Sequence, residues 1–180
     1  GYSVQVWLLD AKDCGVAQTR RRVFFTARRD DLRERAALAL TCRSAKPGLT
    51  IRGAWAGLSE PEGEVEVVRC SPWVEQLWRM TEPGDCLAAA FLKVRGTVAF
   101  YNWFRLAWSR AAPTLLATSR QYLHPDEPRA LTPAEFRRLM SFPDDYRTDR
   151  AGPPKTAIDF ERYICGMSVP PLMMKAVADC

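Results

Sequence analysis

Two β-prone runs near the start of the chain carry apolar side chains on both faces, and this pattern argues against a free-standing hairpin. Residues Ser3 to Leu9 alternate Val4, Val6 and Leu8 against Ser3, Gln5 and Trp7, and Val23-Phe24-Phe25-Thr26-Ala27 is equally β-prone. The runs flank a loop from Asp10 to Arg22. Strands that are apolar on both sides need cover on both sides, and a two-stranded ribbon is marginal in water at best. The pattern therefore predicts strands inside a larger sheet that needs a host. With 180 residues and 47% hydrophobic content, the chain can fill one ordinary domain, or a small domain plus part of another.

Further along, Asp31 to Leu40 has helical composition, and Ser59 to Val68 is acidic and turn-rich before a β-like Val65-Glu66-Val67-Val68. Trp73 to Met80 reads as a helix and Glu82-Pro83-Gly84-Asp85 as a turn. Gly96 to Trp108 is a β-prone stretch whose aromatic residues suit either a small core or nucleic-acid contact. Thr132-Pro133-Ala134-Glu135 forms a capping box with proline at the first helical position, and that helix stops by Phe142-Pro143. Ala151-Gly152-Pro153-Pro154 reads as a linker, and a last helix starts at Pro170-Pro171 and runs through Leu172, Met173, Ala176 and Val177.

The net charge is +5, and only five of the 26 basic residues are lysines. Guanidinium forks suit phosphates and base edges, although arginine enrichment also follows genome composition. No apolar run approaches the roughly 18 residues of a membrane span, and the start lacks a signal-peptide layout, so a cytoplasmic, membrane-free setting is expected. The six cysteines form no C-x-x-C pair and there is one histidine, so no metal site and reduced thiols are expected.

Three segments carry a family resemblance. Tyr2 to Arg28, with Gly15-Val16-Ala17-Gln18-Thr19-Arg20-Arg21-Arg22 between two strands, resembles the eighth conserved block of the DNA (cytosine-5) methyltransferase family, G-V-P-Q-x-R-x-R. Ala112 to Tyr146 resembles the ninth block through Pro113-Thr114, His124-Pro125, Arg129, Leu131-Thr132, Glu135, Arg138-Leu139 and Phe142-Pro143. Gly166-Met167-Ser168-Val169-Pro170-Pro171 resembles the tenth block, G-N-S/A-V-P-P. The three occur in family order and cover about half the chain. Cys14, Ala17, Met140 and Met167 stand where the family usually has tyrosine, proline, glutamine and asparagine.

The resemblance implies an α/β fold in which two edge strands and a C-terminal helix belong to the sheet of a class I S-adenosylmethionine-dependent methyltransferase, with a small mixed target-recognition domain. Residues 1–29 would be the last strands of the catalytic domain, 30–160 the DNA-facing domain with its recognition segment around Ser71 to Ser109, and 161–180 a tail returning to the catalytic domain. The resemblance places Arg22 near O2 of a flipped cytosine in double-stranded DNA, with Gln18 and Arg20 shaping that pocket. It sets Met167, Ser168 and Val169 beside S-adenosylmethionine and gives His124 a bracing role. The family's F-x-G-x-G, nucleophilic Pro-Cys and Glu-Asn-Val are absent, and no cysteine here follows a proline. A C-terminal portion or subunit of such an enzyme is therefore expected, inactive alone, needing an N-terminal catalytic half in cis or trans, and prokaryotic or phage-encoded. A non-catalytic DNA-binding or regulatory remnant and the family's transfer-RNA branch are the alternatives.

Overall fold

The computed structural model describes residues 1–31, 49–58, 67–98, 103–117, 121–146 and 162–179. Strands β1 (Tyr2–Asp10) and β2 (Arg21–Arg29) pair antiparallel in register from Tyr2 opposite Arg29 to Asp10 opposite Arg21. A 3-10 turn, Ala11–Cys14, joins them and ends at Gly15, whose φ of 80° is left-handed. Trp7, Leu9 and Phe24 lie half-buried on one face, with the Trp7 indole donating to Thr26 Oγ1 at 3.1 Å. The opposite face sets Tyr2, Val4, Val6 and Leu8 beside Val23 and Phe25, all 53–73% exposed. The strands form where their pattern predicts. The described residues do not supply the cover those apolar side chains call for.

The middle of the chain is built from short elements: α1 (Ile51–Ala54), α2 (Pro72–Arg79), α3 (Ala88–Arg95), the parallel pair β3 (Phe104–Arg105) and β4 (Tyr122–Leu123), and α4 (Pro133–Leu139). A short helix over residues 162–167 (α5) leads to α6 (Pro171–Ala178). α2 and α4 lie where predicted. In α4 the Thr132 hydroxyl caps Glu135 N–H and the Glu135 carboxylate takes the Thr132 N–H. The expected helix from Asp31 to Leu40, beyond its first residue, lies outside the described residues, as do Val65-Glu66, Phe100-Tyr101 and the linker at Ala151 to Pro154.

Among its described residues, the aromatic stretch forms a strand at Phe104–Arg105. Its backbone is taken up by the turn before α3: Leu87 N–H donates to Trp103 O, Gly84 N–H to Arg105 O, and Arg105 N–H to Asp85 O. The rings of Trp103, Phe104 and Trp108 pack inward. Phe104 and Trp108 pack on a core of Ile51, Trp55, Leu115, Tyr122, Phe136 and Leu139, while Trp103 packs on Val74, Leu77, Trp78 and Leu87 between α2 and α3. A third cluster joins Ala11, Cys14 and Val16 of the turn to Met173 of α6. Cys14 is disulfide-bonded, so the expectation of reduced thiols does not hold at that position. Cys70, Cys86 and Cys165 are not in disulfides.

α4 ends in a Schellman turn: Phe142 N–H donates to Arg137 O and Ser141 N–H to Arg138 O. The left-handed position holds Ser141, φ 59°, where glycine is favoured. Its Oγ accepts the Leu172 N–H at 3.2 Å, capping α6. Two substitutions separate cost from benefit. Ser141→Ala keeps the strain and loses the cap, whereas Ser141→Gly loses the cap and relieves the strain. The glycine variant is expected to be about 1 kcal/mol more stable than the alanine variant by denaturant unfolding. Equal midpoints would show that this turn stores no strain.

Candidate nucleic-acid and cofactor site

The segment Ala17 to Arg22 sits between β1–β2 and the strand-like run at Ala112 to Leu115. Thr19 N–H donates to Ala112 O and Ala112 N–H to Ala17 O, both at 2.9 Å. Side chains reinforce the seam, with Thr19 Oγ1 donating to Ala112 O (3.2 Å) and Thr114 Oγ1 to Thr19 O (2.7 Å). Gln18 is fully buried; its Oε1 accepts the Leu115 N–H at 3.2 Å, and its Nε2 donates to Met140 Sδ at 2.9 Å. The methionine at a position usually glutamine thus lies directly on Gln18 as a weak sulfur acceptor.

Arg20 is 1% exposed and ties three distant segments together. Its guanidinium donates to Leu115 O (2.9 Å), Gly166 O (2.9 Å) and Ser168 O (3.1 Å). Burial, with the nearby charge of Arg22, lowers its pKa to about 10, which leaves it charged at neutral pH. Gly166 is required by contact: a Cβ there would lie 2.7 Å from Ala117 N and 2.8 Å from Leu116 C, both backbone atoms.

The structure therefore places the three candidate pocket residues differently. Gln18 and Arg20 face inward and fix the turn. Arg22 is half-buried and lines an open cleft of about 420 Å³ with Asp10, Lys12, Thr19, Arg21 and Thr114, its Nη1 donating to Arg21 O at 2.7 Å.

The tail candidates also separate. The Ser168 hydroxyl donates to Ile164 O at 2.6 Å and Val169 packs on the third cluster, while Met167 is 64% exposed. This stretch can offer a cofactor an apolar surface through Met167, while the Ser168 hydroxyl is already engaged with α5. Burial, with Glu75 adding to it, pushes the Cys70 thiol up to about 11, so it is a poor nucleophile at neutral pH. Among the described residues no group of three or more His, Cys, Asp or Glu is placed to hold a metal, and no helix is long and apolar enough to cross a membrane.

His124 is buried as a brace. Its ring stacks on Trp55 (5.6 Å, 3°) and meets Trp108 edge-on (5.4 Å), and its Nδ1 accepts the Asp126 N–H at 3.2 Å. Trp78 Nε1 donates to its carbonyl at 3.1 Å. Arg129, which grips Glu135 with two 2.8 Å bonds, also faces the ring, as do Glu135, Glu127 and Asp126. Burial first, then Arg129, lowers the His124 pKa below 6.5, with the three acids opposing. The unfolded chain then binds more protons than the native one between the two pKa values, so stability rises with pH. This contribution is complete above about 6.5 and lost as pH falls through the lower, folded value. Unfolding free energy should therefore fall between pH 7 and pH 5, and His124→Gln should flatten that slope. An unchanged slope in the variant would assign the pH dependence elsewhere.

Residues 1–180 match the sequence profile of the C-5 cytosine-specific DNA methylase family. The chain belongs to this family. A protein of Methanocaldococcus jannaschii named as a type II methyltransferase is 38% identical to this methylase-family chain over 78 residues, 43% of this chain and 23% of its own length. A protein of Oceanobacillus iheyensis with the same kind of name is 36% identical over 82 residues, 43% of this chain and 16% of its own length.

Among solved structures, a prophage-encoded protein of E. coli named as a DNA modification methyltransferase aligns with a TM-score of 0.65 at 22% identity, covering 98% of this chain and 59% of that one. The Entamoeba histolytica methyltransferase EhMeth aligns with a TM-score of 0.57 at 12% identity, covering 99% and 54%. The chain thus spans little more than half of these structures and less than a quarter of the two named relatives. These structural neighbours are class I methyltransferases, and the chain shares the fold of the part it covers, in mixed α/β form with small sheets.

Proposed function

We propose that this chain is the C-terminal portion of a DNA (cytosine-5) methyltransferase, holding double-stranded DNA and one wall of the flipped-cytosine pocket. The observation that carries this reading is the division of labour in Gln18–Arg22. Gln18 and Arg20 are locked into the protein, and Arg22 is left on the cleft, where a guanidinium can donate to a base without losing its charge. Residues 1–29 belong to the catalytic sheet, about 30–160 to the DNA-facing domain, and 161–180 to the tail beside S-adenosylmethionine.

The thiolate that attacks C6, the acid near N3 and most of the cofactor pocket come from an N-terminal half carrying F-x-G-x-G, Pro-Cys and Glu-Asn-Val. The open face of β1–β2 supports this division. Burying six large apolar side chains yields on the order of 10 kcal/mol before ordering costs, ample to hold two halves together. The cofactor supplies the methyl group; Met167 offers it an apolar contact.

The test is to mix the chain with a family-type N-terminal half, labelled S-adenosylmethionine and cytosine-containing duplex DNA. Label should enter cytosine only when both parts are present. Transfer by the chain alone would overturn the division, and a stable assembly that binds DNA without transfer would favour a binding remnant.

A further inference from the structure

Most of the well-placed guanidinium groups in the described residues are engaged internally. Arg20 binds three carbonyls, Arg105 donates to Pro125 O and Thr81 O, Arg129 grips Glu135, Arg138 binds Asp144 and Ala56 O, and Arg162 binds Leu131 O. Two cations on the cleft are different. The Lys12 and Arg21 side chains donate no hydrogen bond among the described residues, and both line the cavity beside Arg22. We propose that Lys12 and Arg21 form a phosphate clamp that grips the backbone of the DNA strand whose base enters beside Arg22. This rests on the reading of the cleft as the DNA site.

The two cations are set by one buried group. Asp10, whose side chain is 12% exposed, accepts the backbone N–H of Lys12 (3.3 Å) and of Arg20 (3.2 Å) on Oδ1. It thereby fixes the turn that carries Lys12 against the start of β2 that carries Arg21. Its other oxygen lies 3.6 Å from Arg21 Nε, close enough to orient the guanidinium and too far to take a hydrogen bond from it. The Arg21 side chain is 74% exposed, so its fork is open to a ligand.

The cleft walls cannot compete for an anion. Thr19 and Thr114 already donate their hydroxyls to backbone carbonyls, so the donors facing the space are Lys12, Arg21 and Arg22. Three cations against one carboxylate give the lining a net positive charge. An open volume of about 420 Å³ falls in the usual range of small-ligand sites, roughly 300–1,000 Å³. The ligand class that fits is a phosphodiester joined to a planar base.

The experiment measures binding of the chain, assembled with a family-type N-terminal half, to a fluorescent duplex DNA from 50 to 200 mM salt. Losing one phosphate contact should lower the slope of log affinity against log salt by about 0.9. The pair Lys12→Gln/Arg21→Gln should show that change and about tenfold or more weaker binding, in keeping with the loss of charged hydrogen bonds. The charge-keeping pair Lys12→Arg/Arg21→Lys should retain both affinity and slope, which separates loss of charge from loss of fold. Lys175→Gln, on α6 and paired with Asp179, should bind as the parent does.

A neutral pair with the parent's slope and affinity overturns the clamp and leaves the methyltransferase reading standing. A Lys175→Gln variant that weakens binding equally also overturns it, by showing diffuse charge to be the cause. A parent assembly that binds no duplex at low salt defeats the clamp and the DNA reading together.

Discussion

In the assembled enzyme, Arg22→Ala should lower methyl transfer by about 100-fold or more at saturating DNA and cofactor. Of Gln18, Arg20 and Arg22, it is Arg22 that the fold leaves on the cleft, with one nitrogen held by the Arg21 carbonyl. A charged donor lost from a flipped base costs about 3 kcal/mol, and each 1.4 kcal/mol is tenfold in rate. Single-turnover incorporation of labelled methyl measures it. Arg29→Ala, at the far end of β2 and paired with Asp31, is the control and should be near neutral. If the halves assemble and the Arg22 variant turns over like the parent, the assignment of this turn to the cytosine pocket is wrong.

The second large effect is on stability. Arg20→Met removes a buried guanidinium and strands the carbonyls of Leu115, Gly166 and Ser168. Breaking such a buried, charged set costs about 3–5 kcal/mol, or roughly 10 °C in Tm for a chain of this size. Gly166→Ala attacks the same junction from the other side, forcing a methyl group against the backbone of Leu116 and Ala117. Because both changes detach one segment, the double variant should be hardly less stable than the worse single one. Additive losses, read from denaturant midpoints, would show that Arg20 and Gly166 serve separate contacts.

What could be read beforehand was whatever has a local cause. The strands at 2–10 and 21–29 follow from period-two alternation, and α4 from a capping box whose four residues carry their own hydrogen bonds. α3 was missed because Leu87 offers no side-chain cap and AAAFLKVR has no clear apolar stripe. Within the β-prone aromatic run, the backbone of residues 103–106 finds its partners in the 84–87 turn and in β4, which no local pattern reveals. At the site, the spacing of Gln18, Arg20 and Arg22 was legible as a motif. The burial of two of them was not, since it depends on carbonyls from residues far along the chain. The arginine surplus fits nucleic acid and genome composition alike, and in the fold Arg105 and Arg129 spend their donors on carbonyls and a carboxylate of the protein itself. A backbone or carboxylate partner from a distant turn leaves no trace in composition.

Arg20 meets Gly166 across 146 residues of chain, so the turn beside the cleft is not locked until Gly166 has been made. At 5–20 residues per second, a ribosome takes roughly 7–30 s to travel from one to the other. Until then the hairpin, its loop and the carbonyl of Leu115 lack the strap that locks them. A product that terminates before Gly166 thus carries the basic turn without its final shape.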